Sequence, residues 1–174
     1  MEHPLITAVT HSTEEARITL LGVPDRPGAA AAIFRALADA NCNVDTIIQN
    51  EPLGEGRDAE VSFTIASDDL RAAEAALEPI VLELGVARVD TDPGIGKVSI
   101  VGAGMRSHPG VAAQVFEVLA QKDINIEMIS TSPIKISCVI RSEEVPDAVQ
   151  ALHEAFELSL AEVQRERPIG QEAR

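Results

Sequence analysis

Apolar and polar positions along the chain fall into short blocks of two periods. ARITLLGV, Ala16 to Val23, is aliphatic and β-branched and is closed by Gly22 and Pro24, which is a strand pattern. DRPG follows and predicts a helix start, with Asp25 as N-cap and Pro27 in the first turn, where a missing N–H costs nothing. Ile33, Phe34 and Leu37 then recur at helical spacing up to about Asn41. NVDTIIQN, Asn43 to Asn50, reads as a second strand, EPLGEGRD as a loop, and AEVSFTIA as an alternating strand with Val61, Phe63 and Ile65 inward. Ser67 or Asp68 caps a second helix carrying Leu70, Ala73, Leu77, Ile80 and Val81, with Pro79 placed to kink or shorten it. VARVDTD closes a β-α-β-β-α-β series, the ferredoxin-like order.

The chain then repeats itself. DRPGAAAAIFRALADANCNV, Asp25 to Val44, and SHPGVAAQVFEVLAQKDINI, Ser107 to Ile126, align without a gap at a spacing of 82, with eight of twenty positions identical. The second unit runs through KVSIVGAG, a helix from Pro109 to about Lys122, NIEMIST, IKISCVI and a helix from Val145 to about Leu158, and lacks a closing apolar strand. PLITAVT, Pro4 to Thr10, is a strand with no place in the first unit, so it is expected to complete the second sheet. The expected fold is therefore α+β, two ferredoxin-like βαββαβ domains in tandem with the first inserted into the second. The first spans residues 15–92, the second 93–160 completed by strand 3–12, and residues 161–174 form a tail.

Composition narrows the function. Twenty-eight Asp and Glu against 14 Lys and Arg give a net charge of −14, and only 2% of residues are aromatic, so the chain repels polyphosphate and lacks base-stacking platforms. Nucleic acid is excluded as a partner. No run of 18 apolar residues and no basic, apolar leader occur, so no membrane association and a cytoplasmic location are expected. Cys42 and Cys138 sit at apolar positions and read as small buried hydrophobes.

Catalytic motifs fail on inspection. GAGMRS, Gly102 to Ser107, has Ser107 where a dinucleotide fingerprint needs its third glycine, and GIGKVS has Thr91 and Val98 at P-loop positions that require Gly and Ser or Thr. His3, His11, His108 and His153 form no zinc pattern, and no nucleophile elbow is present. No metal, cofactor or catalytic residue is expected.

The duplicated stretch keeps a Pro-Gly at a helix start and an Asn before the next strand. Helix starts expose unpaired N–H groups and partial positive charge, which suit a carboxylate, and glycine lets a ligand approach the main chain. Asp25 nearby complements an ammonium group, so the set describes a pocket for a free α-amino acid. Pro-Gly is equally a plain helix start, and Asn43 and Asn125 are equally turn residues.

DRPGAAAAIFRALADANCNVDTIIQN and VSIVGAGMRSHPGVAAQVFEVLAQKDINIEMISTSPIKISCVI, above all their GAGMRSHPGV and NIEMISTS segments, resemble the regulatory region of bacterial aspartokinases over about residues 3–160. The kinase domain of that family has no counterpart here. The resemblance implies two ACT domains, nested as above, and a homodimer in which the first ACT unit of one chain packs beside the second unit of the other. It implies a threonine pocket from Asp25, Arg26, Pro27, Gly28, Ala29, Ala30 and Gln49, with the main chain of Asn125 and Ile126 from the facing unit. Asp25 or main-chain carbonyls would take the ammonium, amides near Ala30 the carboxylate, and Gln49 the hydroxyl. A second pocket would use Met105, Ser107, His108, Gly110, Val111 and Ala112 with Asn43, Val44 and Asp45 opposite; some relatives carry Thr in place of Ala112. Lysine is the family's usual second effector, with Asp45, Glu127 or Ser132 to receive its ammonium groups.

In the family's two-subunit enzymes the β subunit is this region made separately, so Met1 is either a natural internal start or a cut within a longer chain. The expected function is a non-catalytic regulatory subunit that senses threonine and lysine and inhibits a catalytic α subunit of aspartokinase. The alternative is a free-standing amino-acid sensor acting on another enzyme, and a third class, an independent small-molecule enzyme, finds no motif.

Overall fold

A computed structural model describes residues 5–50, 58–103, 110–158 and 163–165. The elements are β1 (Leu5–Pro24), α1 (Ala29–Asp39), β2 (Val44–Asn50), β3 (Asp58–Ala66), α2 (Leu70–Leu84), β4 (Arg88–Ala103), α3 (Gly110–Gln121), β5 (Met128–Ser132), β6 (Lys135–Arg141), α4 (Val145–Ala155) and β7 (Val163–Arg165). The described residues divide into two compact units, a first made of residues 14–50 and 58–93 and a second made of residues 5–13, 94–103, 110–158 and 163–165.

In the first unit the strand order is β2-β3-β1-β4, with β1 antiparallel to β3 from Glu15↔Ala66 to Pro24↔Asp58. Ile18, Leu20, Phe63 and Ile65 of the sheet meet Ile33 and Leu37 of α1 and Ala73 and Leu77 of α2, forming one apolar core. In the second unit the order is β1-β4-β6-β5, and Val9, Val98, Ile100, Cys138 and Ile140 meet Val115 and Leu119 of α3 and Ala148 and Leu152 of α4. The N-terminal segment thus contributes Val9 to the second core, fully buried.

Two expectations about strand ends are corrected. The chain from Leu5 to Pro24 is one 20-residue strand, and that from Arg88 to Ala103 is one 16-residue strand, where the sequence pattern had each broken in two. The hydrogen-bonded order is therefore β2-β3-β1-β4-β6-β5, with β1 and β4 each divided between the units. HSTEE contains no Gly or Pro to end the strand, and Ser12 and Glu15 within it are buried. Pro93 fits extended backbone, since its fixed φ lies in that region and only its donor is lost. Gly96 allows close packing at this crossing: a Cβ there would lie 2.5 Å from Val145 Cγ2 and 2.9 Å from the Ser12 carbonyl oxygen. The tail, expected to hold no strand, supplies β7, which pairs in parallel with β1 at Val9↔Val163.

The repeat is legible in the loops as well. Both α1 and α3 end on a left-handed residue, Asn41 and Asp123, each with φ 58°. The chain then returns an amide to the last turn, Cys42 N–H to Leu37 O at 2.9 Å and Ile124 N–H to Leu119 O at 3.1 Å. Both α2 and α4 follow a 3-10 turn, Ser67–Asp69 and Ser142–Glu144, whose acidic residues complement the helix start while no side chain caps it. Pro79 lies inside α2 without ending it. After β2 the repeat spacing falls from 82 to 75, as Ser62 and Phe63 correspond to Ser137 and Cys138, because the segment between second and third strands is seven residues longer in the first copy.

Candidate functional site

β1 ends at Pro24, and the next three residues make a turn rather than the first helical residues. Arg26 N–H bonds Pro24 O at 2.9 Å and Ala29 N–H bonds Arg26 O at 3.3 Å. The N-cap is Gly28, not Asp25 as expected from the sequence; Gly28 adopts φ 95° and no side chain caps the helix. The left-handed angle is open to glycine without steric cost, which is why Asp25 is displaced three residues upstream. The helical ladder opens with Ala32 N–H to Gly28 O at 2.9 Å, so the amides of Ala30 and Ala31 precede it. A Cβ on Gly28 would meet nothing within 4 Å, so space lies open in front of this helix start. Asp25, Arg26, Pro27 and Gly28 are exposed, Ala29 is buried and Ala30 half-buried.

Gln49 is exposed near the end of β2. It faces Val61, and Val61 faces Leu20 on β1, so Gln49 stands toward the same end of the sheet as the turn after Pro24. Asp25 to Ala30 and Gln49 therefore belong to one end of the first unit, whereas Asn125 and Ile126 belong to the second unit.

In the second copy Gly110 begins α3 and is exposed, Val111 is buried and Ala112 half-buried. Met105, Ser107 and His108 lie outside the described residues. Asn43 and Asn125 are both exposed and both come two residues after the left-handed position, so the sharp turn is made by Asn41 and Asp123 instead. Asp45 and Ser132 are exposed. Glu127, offered as a receptor for an ammonium group, is half-buried and engaged: Arg141 Nη1 donates to its Oε1 at 3.1 Å. A ligand there would compete with a guanidinium already in place.

One feature had no signal in the periodicity of β2. Val44 faces Ile65 and Ile47 faces Phe63, so Asp45 and Thr46 together face the single residue Thr64, a β-bulge. The Thr46 amide donates to Thr64 Oγ1 at 3.2 Å. β5 pairs with β6 from Met128↔Val139 to Ser132↔Lys135, and the Glu127 amide also donates to Val139 O at 2.8 Å, so Glu127 and Met128 likewise share one opposite residue.

Both cysteines are buried and free. Burial pushes the Cys138 thiol up to about 11, and burial together with the charge of Asp69 raises that of Cys42. Neither is a poised nucleophile. Among the described residues no group of His, Cys, Asp and Glu could hold a metal ion, and no helix is long and apolar enough to cross a membrane. A cavity of about 610 Å³ lies over α2 and β4 of the first unit, lined by Leu77, Val81, Leu82 and Val89 with Arg71, Glu74 and Glu78, and it contains none of the candidate site residues.

Two family models, both described as ACT domain, match residues 17–81 and 98–156. The fold overlays the regulatory subunit of aspartate kinase from Thermus thermophilus in its ligand-free form with a TM-score of 0.81 and 41% identity, covering 87% of this chain and 99% of that one. The chain belongs to the family of aspartate kinase regulatory subunits. A chain in the solved structure of aspartokinase alpha and beta subunits is 44% identical, with a TM-score of 0.80 over 88% of this chain and 99% of that one. The aspartokinase of Mycobacterium tuberculosis is 48% identical over 158 residues, which are 91% of this chain and 38% of that protein. The chain thus spans well under half the length of the curated relatives it matches, and what it shares with them is the regulatory part with its two ACT domains.

Proposed function

We propose that this chain is a non-catalytic regulatory subunit that binds end-product amino acids, threonine first and lysine second, and inhibits a catalytic aspartate kinase partner at the first step of lysine, threonine and methionine biosynthesis. The observation that carries the reading is the helix start at Gly28, whose left-handed cap opens space before the amides of Ala30 and Ala31 in the repeated Pro-Gly stretch. Those amides and the helix dipole suit a carboxylate, Asp25 or main-chain carbonyls suit the ammonium, and Gln49 on the same end of the unit suits a hydroxyl. Asn125 and Ile126 come from the second unit of a homodimer partner, and the second pocket is built from Met105 to Ala112 with Asn43 to Asp45. A two-subunit assembly is supported by the solved relative that holds alpha and beta subunits together. The domain reading belongs to the same proposal: ACT domains over residues 15–92 and 93–160, the latter completed by residues 3–12.

Calorimetric unfolding of the full chain with and without each amino acid tests this. Threonine at about a hundredfold over its dissociation constant should stabilise the fold by about 2.7 kcal/mol. Asp25→Ala and Gln49→Ala should each remove most of that gain while leaving the unliganded transition in place. No shift with threonine or lysine at millimolar concentration defeats the reading. A shift without inhibition of an added aspartate kinase catalytic subunit points instead to a sensor serving another enzyme.

A further inference from the structure

Glu127 directly follows the strand start Asn125-Ile126, and the chain supplies it with a cation of its own. The Glu127 amide donates to Val139 O. Val139 and Arg141 are two apart on β6, so their side chains leave the sheet on the same face. Arg141 Nη1 accordingly reaches Glu127 Oε1 at 3.1 Å, with the two side chains 36% and 16% exposed. In the first copy the counterpart of Glu127 is Asp45, which is exposed, and the counterpart of Arg141 is Ala66, so that position of β3 supplies no positive charge.

We propose that Arg141 is a specificity-determining residue: by neutralising Glu127 it keeps the pocket built on Asn125 and Ile126 for an amino acid with an uncharged side chain, and turns away one whose side chain carries an ammonium. This rests on the reading that these strand starts line amino-acid sites. A half-buried carboxylate is costly to leave uncompensated, and it is satisfied by whichever cation reaches it. With the guanidinium in place, an incoming ammonium has to break a charge-assisted bond already made within one unit, and Arg141 itself repels a second cation. Without the guanidinium, lysine's flexible four-carbon stem brings an ammonium where threonine brings only a hydroxyl. Glu127 is thereby withdrawn from the receptors open to lysine, and the residue that withdraws it need touch no ligand.

Competition on the full chain tests this, with bound isotope-labelled threonine displaced by unlabelled lysine in wild type, Arg141→Ala, Arg141→Lys and the paired variant Glu127→Gln with Arg141→Ala. In Arg141→Ala the affinity for lysine relative to threonine should rise about tenfold, and the rise should shrink at high salt. Arg141→Lys, which keeps the charge, should hold the wild-type ratio, and the paired variant, which removes both charges, should return to it. An unchanged ratio in Arg141→Ala overturns the proposal, as does a ratio that stays high in the paired variant or an equal weakening of both amino acids, which is what a merely structural ion pair would give. If wild type binds no threonine, the amino-acid reading fails and the proposal with it, a result told apart because it appears before any variant is made.

Discussion

The two copies fill the centre of the same sheet position differently. In the first unit Phe63 is fully buried and meets Phe34 edge-on, with centroids 5.4 Å apart and an interplanar angle of 67°. In the second the corresponding position is Cys138, and Phe116, partly buried like its counterpart Phe34, packs on a core with no second ring at that point. The left-handed ends of α1 and α3 and the 3-10 turns before α2 and α4 are nevertheless shared by both. Duplicated backbones therefore tolerate a change from a ring to a thiol at one central point, provided that the surrounding aliphatic residues close the gap.

The largest effect should separate the cores. Phe63→Ala should cost about 3–5 kcal/mol, measured by urea unfolding, because it removes both buried area and a ring pair. Cys138→Ala at the matching position should cost about 1 kcal/mol. Equal losses would show that the ring pair is not what distinguishes the two.

Gly96→Ala should come next, at about 1–3 kcal/mol. Its added methyl meets Val145 Cγ2, which can give way, and the Ser12 carbonyl oxygen, which is fixed by its strand. Gly110→Ala, where a Cβ meets nothing within 4 Å, is the control and should change stability far less.

The smallest effect depends on pH. The Cys138 thiol is raised from 9.0 to about 11, so the folded state disfavours the thiolate that the unfolded chain forms more readily. Its contribution is fully present below pH about 9 and is lost as pH rises toward about 11, a loss of about 1 kcal/mol by pH about 10. Cys138→Ala should flatten this part of the alkaline stability curve, and denaturant midpoints at neutral and alkaline pH will read the difference.

Helix positions were legible because apolar residues at three and four leave little choice: Ile33, Leu37 and Leu77, and likewise Leu119 and Leu152, are buried as their spacing requires. Strand ends were not, because HSTEE has no Gly or Pro to mark its continuity either way, DPGIG has both and still runs on as strand, and whether an extended chain continues depends on partners distant in sequence. The position of the first helix mouth was legible from Pro27-Gly28, yet the cap itself was assigned to Asp25, since propensity favours Asp and only the left-handed angle reveals Gly28. The bulge in β2 had no periodic signature. It emerges only from the register, in which Asp45 and Thr46 share Thr64.

The buried thiols have a practical consequence. Each unit carries a single cysteine, sealed from solvent and unreactive while that unit is closed. Alkylation by a maleimide must then wait for the surrounding structure to open, so the tagging rates of Cys42 and Cys138 act as two stopwatches, one for each half, already installed in the natural sequence.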